Sequence, residues 1–152
     1  MVKQMPIEFS KAGKSDVRSQ FAALCYRVVD KKHQILLVTA RNSGRWIIPK
    51  GWPMNGKTPA DAALREAWEE AGVLGKASAQ IVGLYSYSKQ TGDGNLPCVG
   101  LVFPIRVKSL ARKYPERNQR KRKWFSPKKA AQKVTDPELA RILLKFDPKR
   151  LH

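Results

Sequence analysis

Glu66, Glu69 and Glu70 are crowded onto one short segment beside Arg65, in a chain with 12 acidic residues against 30 Lys and Arg. On a helix, residues three and four apart are neighbours, and like charges so placed repel by a few tenths of a kcal/mol per pair. A hard divalent cation such as Mg²⁺ takes oxygen ligands and would remove that repulsion. The alternative is an acidic face left to solvent. A cation held there would position water and lower its pKa.

The segment carrying these acids has the marks of a helix. Thr58 is a good N-cap, Pro59 suits the first helical position, and Gly72 suits a left-handed C-terminal residue. On a wheel of about 100° per residue, Leu64, Ala67, Trp68 and Ala71 fall on one side. Glu66, Glu69 and Glu70 fall nearly opposite. The expectation is one buried face and one face presenting three carboxylates.

The rest of the chain reads as elements that could carry this helix. Residues 21–29 and 34–39 are apolar runs of strand length joined by Asp30-Lys31-Lys32-His33, a hairpin. A short strand over 45–48 ends at Pro49, and 51–57, with its glycines and proline, reads as a loop. Two more strands are expected over 81–88 and 97–107, joined by a loop over 90–95. Trp124-Phe125 reads as a short strand, and Ser126-Pro127 and Asp136-Pro137 each start a helix. The second helix carries Leu139, Ile142, Leu143 and Phe146 as its apolar side. This makes one α+β domain over 20–152, preceded by a flexible N-terminal arm over 1–19.

Composition narrows the class. A chain of 152 residues is the size of one domain, and 42% hydrophobic residues can fill a core. No run approaches the roughly 18 apolar residues of a membrane span, and the first residues lack a signal-peptide core. A cytoplasmic protein without a membrane partner is expected. Cys25 and Cys98 lie in apolar runs and read as reduced core thiols. The net charge of +18 draws polyanions, whether nucleic acid or phosphorylated small molecules.

From Pro49 the sequence runs PKGWPMNGKTPADAALREAWEEAGV, which resembles the Nudix box, G-x5-E-x7-R-E-U-x-E-E-x-G-U with U a bulky apolar residue. Gly51, Arg65, Glu66, Glu69, Glu70, Gly72 and Val73 match. Ala67 is small for its U position, and Lys57 stands where the pattern has a glutamate. The resemblance implies a Nudix-type mixed β-sheet sandwiched between α-helices. It implies divalent metal, Mg²⁺ or Mn²⁺, on Glu66, Glu69 and Glu70 beside Gly51, with a glutamate such as Glu66 or Glu69 helping to deprotonate water. Arg65 would orient a neighbouring glutamate by an ion pair. Lys57 admits three readings: the glutamate is dispensable, the lysine binds a substrate phosphate, or activity is lost.

The entry Trp46-Ile47-Ile48-Pro49-Lys50-Gly51 and the end Lys123-Trp124-Phe125 are similar to the diphosphoinositol polyphosphate and diadenosine polyphosphate hydrolase branch. That likeness implies hydrolysis of a phosphoanhydride in a highly charged substrate. Lys50, Lys57, Arg45, Arg120 and Arg122 are the candidate phosphate contacts. Trp46 and Trp124 read as core or sheet-face aromatics before base-stacking platforms, and the basic run over 112–123 reads equally as a solvated loop. Enzymes on RNA 5′ ends and weakly active phospho-ligand or nucleic-acid binding modules remain alternatives. Nothing in the sequence marks an oligomer interface.

Overall fold

The computed structural model describes residues 17–92 and 94–152. The expected arm therefore lies mostly outside the described residues, and its boundary moves. Arg18 and Ser19 already belong to the first strand, paired with Cys98 and Val99.

That strand, β1 (Arg18–Val29), is the axis of the molecule. It turns at Asp30-Lys31 into β2 (Lys32–Thr39). Both turn residues have positive φ, 52° and 67°, the mirror-image turn whose twist suits a hairpin. After β3 (Trp46–Ile47), a two-residue strand β4 (Lys50–Gly51) returns to β1, placing Lys50 opposite Ala22 and Gly51 opposite Phe21. The loop expected from Gly51 onward thus starts one residue later, because β1 is long enough to pair with β2 at one end and β4 at the other.

Helix α1 (Pro59–Ala71) has the predicted ends: the Thr58 hydroxyl accepts the Asp61 N–H, and Gly72 adopts φ 68°. The chain then forms β5 (Val73–Ala77), which the sequence did not disclose. Its Gly-Lys content hides the alternation, and it exists by pairing with β7 (Gly94–Leu110). Strand β6 (Gly83–Thr91) pairs with the first half of β7 as far as Thr91 and Gly94, so both strands run into the expected 90–95 loop. β8 (Arg122–Phe125), α2 (Pro127–Lys133) and α3 (Pro137–Lys145) complete the chain. None of the described helices is long and apolar enough to cross a membrane.

The sheet has eight strands and runs β3-β2-β1-β7-β5, with β1 and β7 parallel. Because successive side chains alternate across a strand, β1 feeds two cores. Phe21, Ala23 and Cys25 pack with Ala63, Ala67 and Ala71 of α1. Ala22, Leu24 and Tyr26 pack with Leu139 and Leu143 of α3 and with Phe146. This is the mixed sheet between helices that the sequence led us to expect. Both cysteines are buried and unpaired.

The helical wheel needs correction. The side of α1 that meets the sheet is its alanine stripe, and Glu70 belongs to that buried side at 3% exposure. Leu64 and Trp68 lie at the flank, half-buried. Small alanines bring helix and sheet so close that the acid at 70 is carried under β4. The three carboxylates do not share one exposed strip.

Candidate active site

Strand alternation at β4 positions the site. Lys50 faces the same side of the sheet as Ala22, and Gly51 faces α1. A Cβ built on Gly51 would stand 2.2 Å from Cδ of Glu66. Any other residue at 51 would displace that carboxylate, which gives the glycine a physical reason. One turn later on α1, the Glu70 carboxylate accepts the Lys50 backbone N–H at 3.3 Å. Glu66 and Glu70 also contact each other through their side chains.

Two touching carboxylates out of water do not both ionise freely. Burial first, then the hydrogen bond with Glu66, pushes Glu70 up to about 9, with Arg120 pulling the other way. Glu66 is also raised, chiefly by burial. Such a pair needs a shared proton or a cation. Its donor set is all oxygen and its excess charge is negative, which fits a hard divalent ion. Glu69 does not join the pair: its carboxylate takes Arg65 at 3.2 Å on the helix surface. Among the described residues no three acid, His or Cys side chains gather at one point. A metal held here would therefore rest on Glu66 and Glu70 and complete its shell with water or phosphate oxygens, as Mg²⁺ commonly does.

Glu70 opens into a cleft of about 750 Å³ on the α3 side of the sheet. Arg41, Arg45, Lys50, Lys89 and Arg120 supply cations to its wall. Tyr85 and Tyr87 supply a stacked aromatic floor, ring centroids 5.1 Å apart. Asp136 and Glu138 enter from the start of α3. Arg120 is the best-held cation, its side chain only 9% exposed. It meets Glu70 at 3.6 Å and Glu116 at 3.0 Å, and donates to the Thr39 carbonyl at 3.1 Å. Burial lowers the Lys50 ammonium's pKa, and Glu70 partly restores it.

Of the residues singled out in the sequence, the structure brings together Glu66, Glu70, Gly51, Lys50, Arg45 and Arg120. It places four others elsewhere: Glu69, on Arg65 as described, and Arg65, Lys57 and Arg122. Arg65 and Lys57 line a separate groove of about 300 Å³ on the outside of α1, with Asp61, Leu64, Trp68 and Leu74. Arg122 turns to the other end of α1, donating to the Ala71 carbonyl at 2.8 Å while lying over the Tyr114 ring. It closes the helix rather than the cleft. The reason is register: Arg122 and Trp124 point to the α1 face, Lys123 and Phe125 to the other. Trp46 packs against Phe125 and also lines the cleft, whereas Trp124 lies under Arg27.

Sequence reasoning passed over Tyr85, Tyr87, Lys89, Asp136 and Glu138. The alternation Tyr85-Ser86-Tyr87-Ser88-Lys89 was a usable signal, because period two puts the rings and the lysine on one face.

A mixed sheet between helices, with an acidic pair at the edge of a cationic cleft, defines the general class. The model of the NUDIX domain matches residues 18–146, and the chain belongs to the Nudix family. It is 30% identical over 107 residues to Nudix hydrolase 13, mitochondrial, of Arabidopsis thaliana, covering 66% of this chain and 53% of that protein. It is 26% identical over 127 residues to the human diphosphoinositol polyphosphate phosphohydrolase NUDT4B, covering 82% and 67%. The chain thus spans between about half and two thirds of these curated relatives. Its fold matches that of the C. elegans Ap4A hydrolase with a TM-score of 0.63 at 20% identity, covering 86% of this chain and 96% of that one.

Proposed function

We propose that this protein hydrolyses a phosphoanhydride bond in a highly charged substrate with the help of a divalent cation. The observation that carries this reading is the contact between the Glu66 and Glu70 carboxylates beneath β4, an all-oxygen pair at the edge of a cleft walled by five cations. The relatives' names point the same way: one acts on diphosphoinositol polyphosphates, and the fold neighbour is an Ap4A hydrolase.

In this reading Lys50, Arg120, Arg41, Arg45 and Lys89 bind and neutralise phosphate oxygens, which lowers the repulsion met by attacking water. Glu66 and Glu70 would hold the cation, and Arg120 keeps Glu70 in place. A bound Mg²⁺ or Mn²⁺ would supply charge neutralisation and a more acidic water. A free carboxylate oxygen of the pair is placed to take the proton of the attacking water as the P–O bond to the leaving phosphate oxygen breaks. Glu69, tied to Arg65, stiffens the helix end.

Between the two substrates that the sequence left open, the cleft favours a dinucleoside polyphosphate. Its wall combines Trp46, Ile47 and the edge of Tyr87 with the acceptors Asp136 and Glu138, surface that a base with its amino group can use and a ring phosphorylated on every side cannot. The test is release of phosphate from diadenosine tetraphosphate, a diphosphoinositol polyphosphate and 5′-triphosphate RNA, each with Mg²⁺ and with EDTA. Turnover of diadenosine tetraphosphate that EDTA abolishes is expected. Turnover of RNA alone overturns the substrate, and turnover indifferent to EDTA overturns the metal.

A further inference from the structure

Gln20 is the one polar residue besides Glu70 that is fully buried among the described residues, at 0% exposure. It sits on β1 opposite Gly100, on the same sheet face as Ala22, at the head of the buried stretch of the strand whose other residues, Phe21 to Tyr26, are apolar. Its carbonyl oxygen accepts the Tyr87 hydroxyl, and its amide nitrogen has no partner among the described residues. A leucine would fill that space without burying an unpaired amide, which costs free energy. A purely structural demand does not call for glutamine here. What the glutamine does uniquely is fix the phenol of Tyr87.

Tyr87 in turn is a platform. Its ring stacks on Tyr85 at 28° between planes, and Tyr85 fits only because position 100 is glycine: a Cβ there would stand 2.6 Å from the Tyr85 ring. The Lys50 ammonium lies 5.1 Å above the Tyr87 ring, within reach of the ring's negative face. The backbone of the same lysine is bonded to Glu70. One residue is thus held at its backbone by the acidic pair and at its ammonium by an aromatic face that Gln20 anchors.

We propose that Gln20 is a positioning residue for phosphate binding: through Tyr87 it aims the Lys50 ammonium into the cleft. This rests on the reading of the cleft as a phosphate site, but not on catalysis. Inorganic tripolyphosphate, titrated calorimetrically in metal-free buffer, is the probe. Gln20→Leu and Tyr87→Phe should each weaken its binding by about fivefold to tenfold, the scale of one hydrogen bond. Lys50→Met should weaken it further, and Gln20→Leu added to Lys50→Met should change nothing more, because the residue acts through Lys50. With diadenosine tetraphosphate the loss should fall on KM rather than kcat.

If Gln20→Leu fails to fold, Tyr87→Phe, which keeps the ring, decides the matter. The proposal is overturned by wild-type affinity in either single variant that folds. Independent, multiplying losses in the double variant, or a Lys50→Met protein that binds like wild type, overturn it equally. So does a wild-type protein that ignores tripolyphosphate. Binding without hydrolysis of any phosphoanhydride would sink the proposed function and leave Gln20 to be judged by the calorimetry.

Discussion

Lys50 and Lys57 flank the same glycine-containing turn, yet they belong to different environments. Lys50 is taken into the sheet by β4, largely withdrawn from water, and held between Glu70 and the Tyr87 ring. Lys57 stands exposed on the outer groove of α1, beside Arg65 and Asp61. The same contrast separates Arg120, wedged among Glu70, Glu116 and Thr39, from the exposed Arg112 and Lys113 of the same loop. A charge in water is screened and adaptable, whereas one in the low-dielectric cleft acts strongly and in one direction. The lesson is that the +18 net charge is two populations. A few placed cations face a ligand, and many solvated ones attract polyanions in general.

The comparison is tested most severely at its acidic end. Glu66→Gln and Glu70→Gln should each lower kcat/KM by on the order of 10³-fold, since each removes a charge that holds the divalent ion. Steady-state hydrolysis of diadenosine tetraphosphate measures this, and a loss under tenfold would place the ion elsewhere. Next in size is Arg120→Met, which removes the shared partner of Glu70, Glu116 and the Thr39 carbonyl and should cost about 2 kcal/mol in urea unfolding. The exposed Arg112→Met should stay within about 0.5 kcal/mol.

The pH response is smaller and has a defined sign. Glu70 binds its proton more tightly folded than unfolded, its pKa rising from 4.5 to about 9. The folded state therefore holds more protons across that window, and stability falls as pH rises through it. Protein stripped with EDTA should melt roughly a few degrees lower at pH 8.5 than at pH 6, and millimolar Mg²⁺ should restore most of the difference. The smallest effect is expected at Lys57→Glu, which restores the family's residue. Because position 57 lies outside the cleft, kcat/KM should change by less than about threefold, the scale of a solvent-exposed charge. A large gain would bring Lys57 back to the site.

Local chemistry made much of the frame legible. Thr58, Pro59 and Gly72 delimit α1 because capping depends on neighbours in the chain. The β1–β2 hairpin was readable from two apolar runs and a polar turn. Gly51, Arg65, Glu66, Glu69, Glu70, Gly72 and Val73 were enough to indicate the family. Strands β4 and β5 were not readable, since a two-residue strand and a Gly-Lys strand have no pattern of their own and depend on their partners.

What the sequence determined alone, then, is which residues are near one another along the chain: the helix, its acids and its loop. Tertiary structure decided which of them face each other. It drew Glu70 under the sheet, left Lys57 and Arg122 outside the cleft, and gathered Gln20, Tyr87 and Lys50 from three strands, whereas the Arg65–Glu69 ion pair, one helical turn apart, was already local to the chain. The reason is that a wheel or a period describes one element, whereas burial is set by how closely a neighbour approaches, and an alanine stripe allows an approach that no pattern of charges announces.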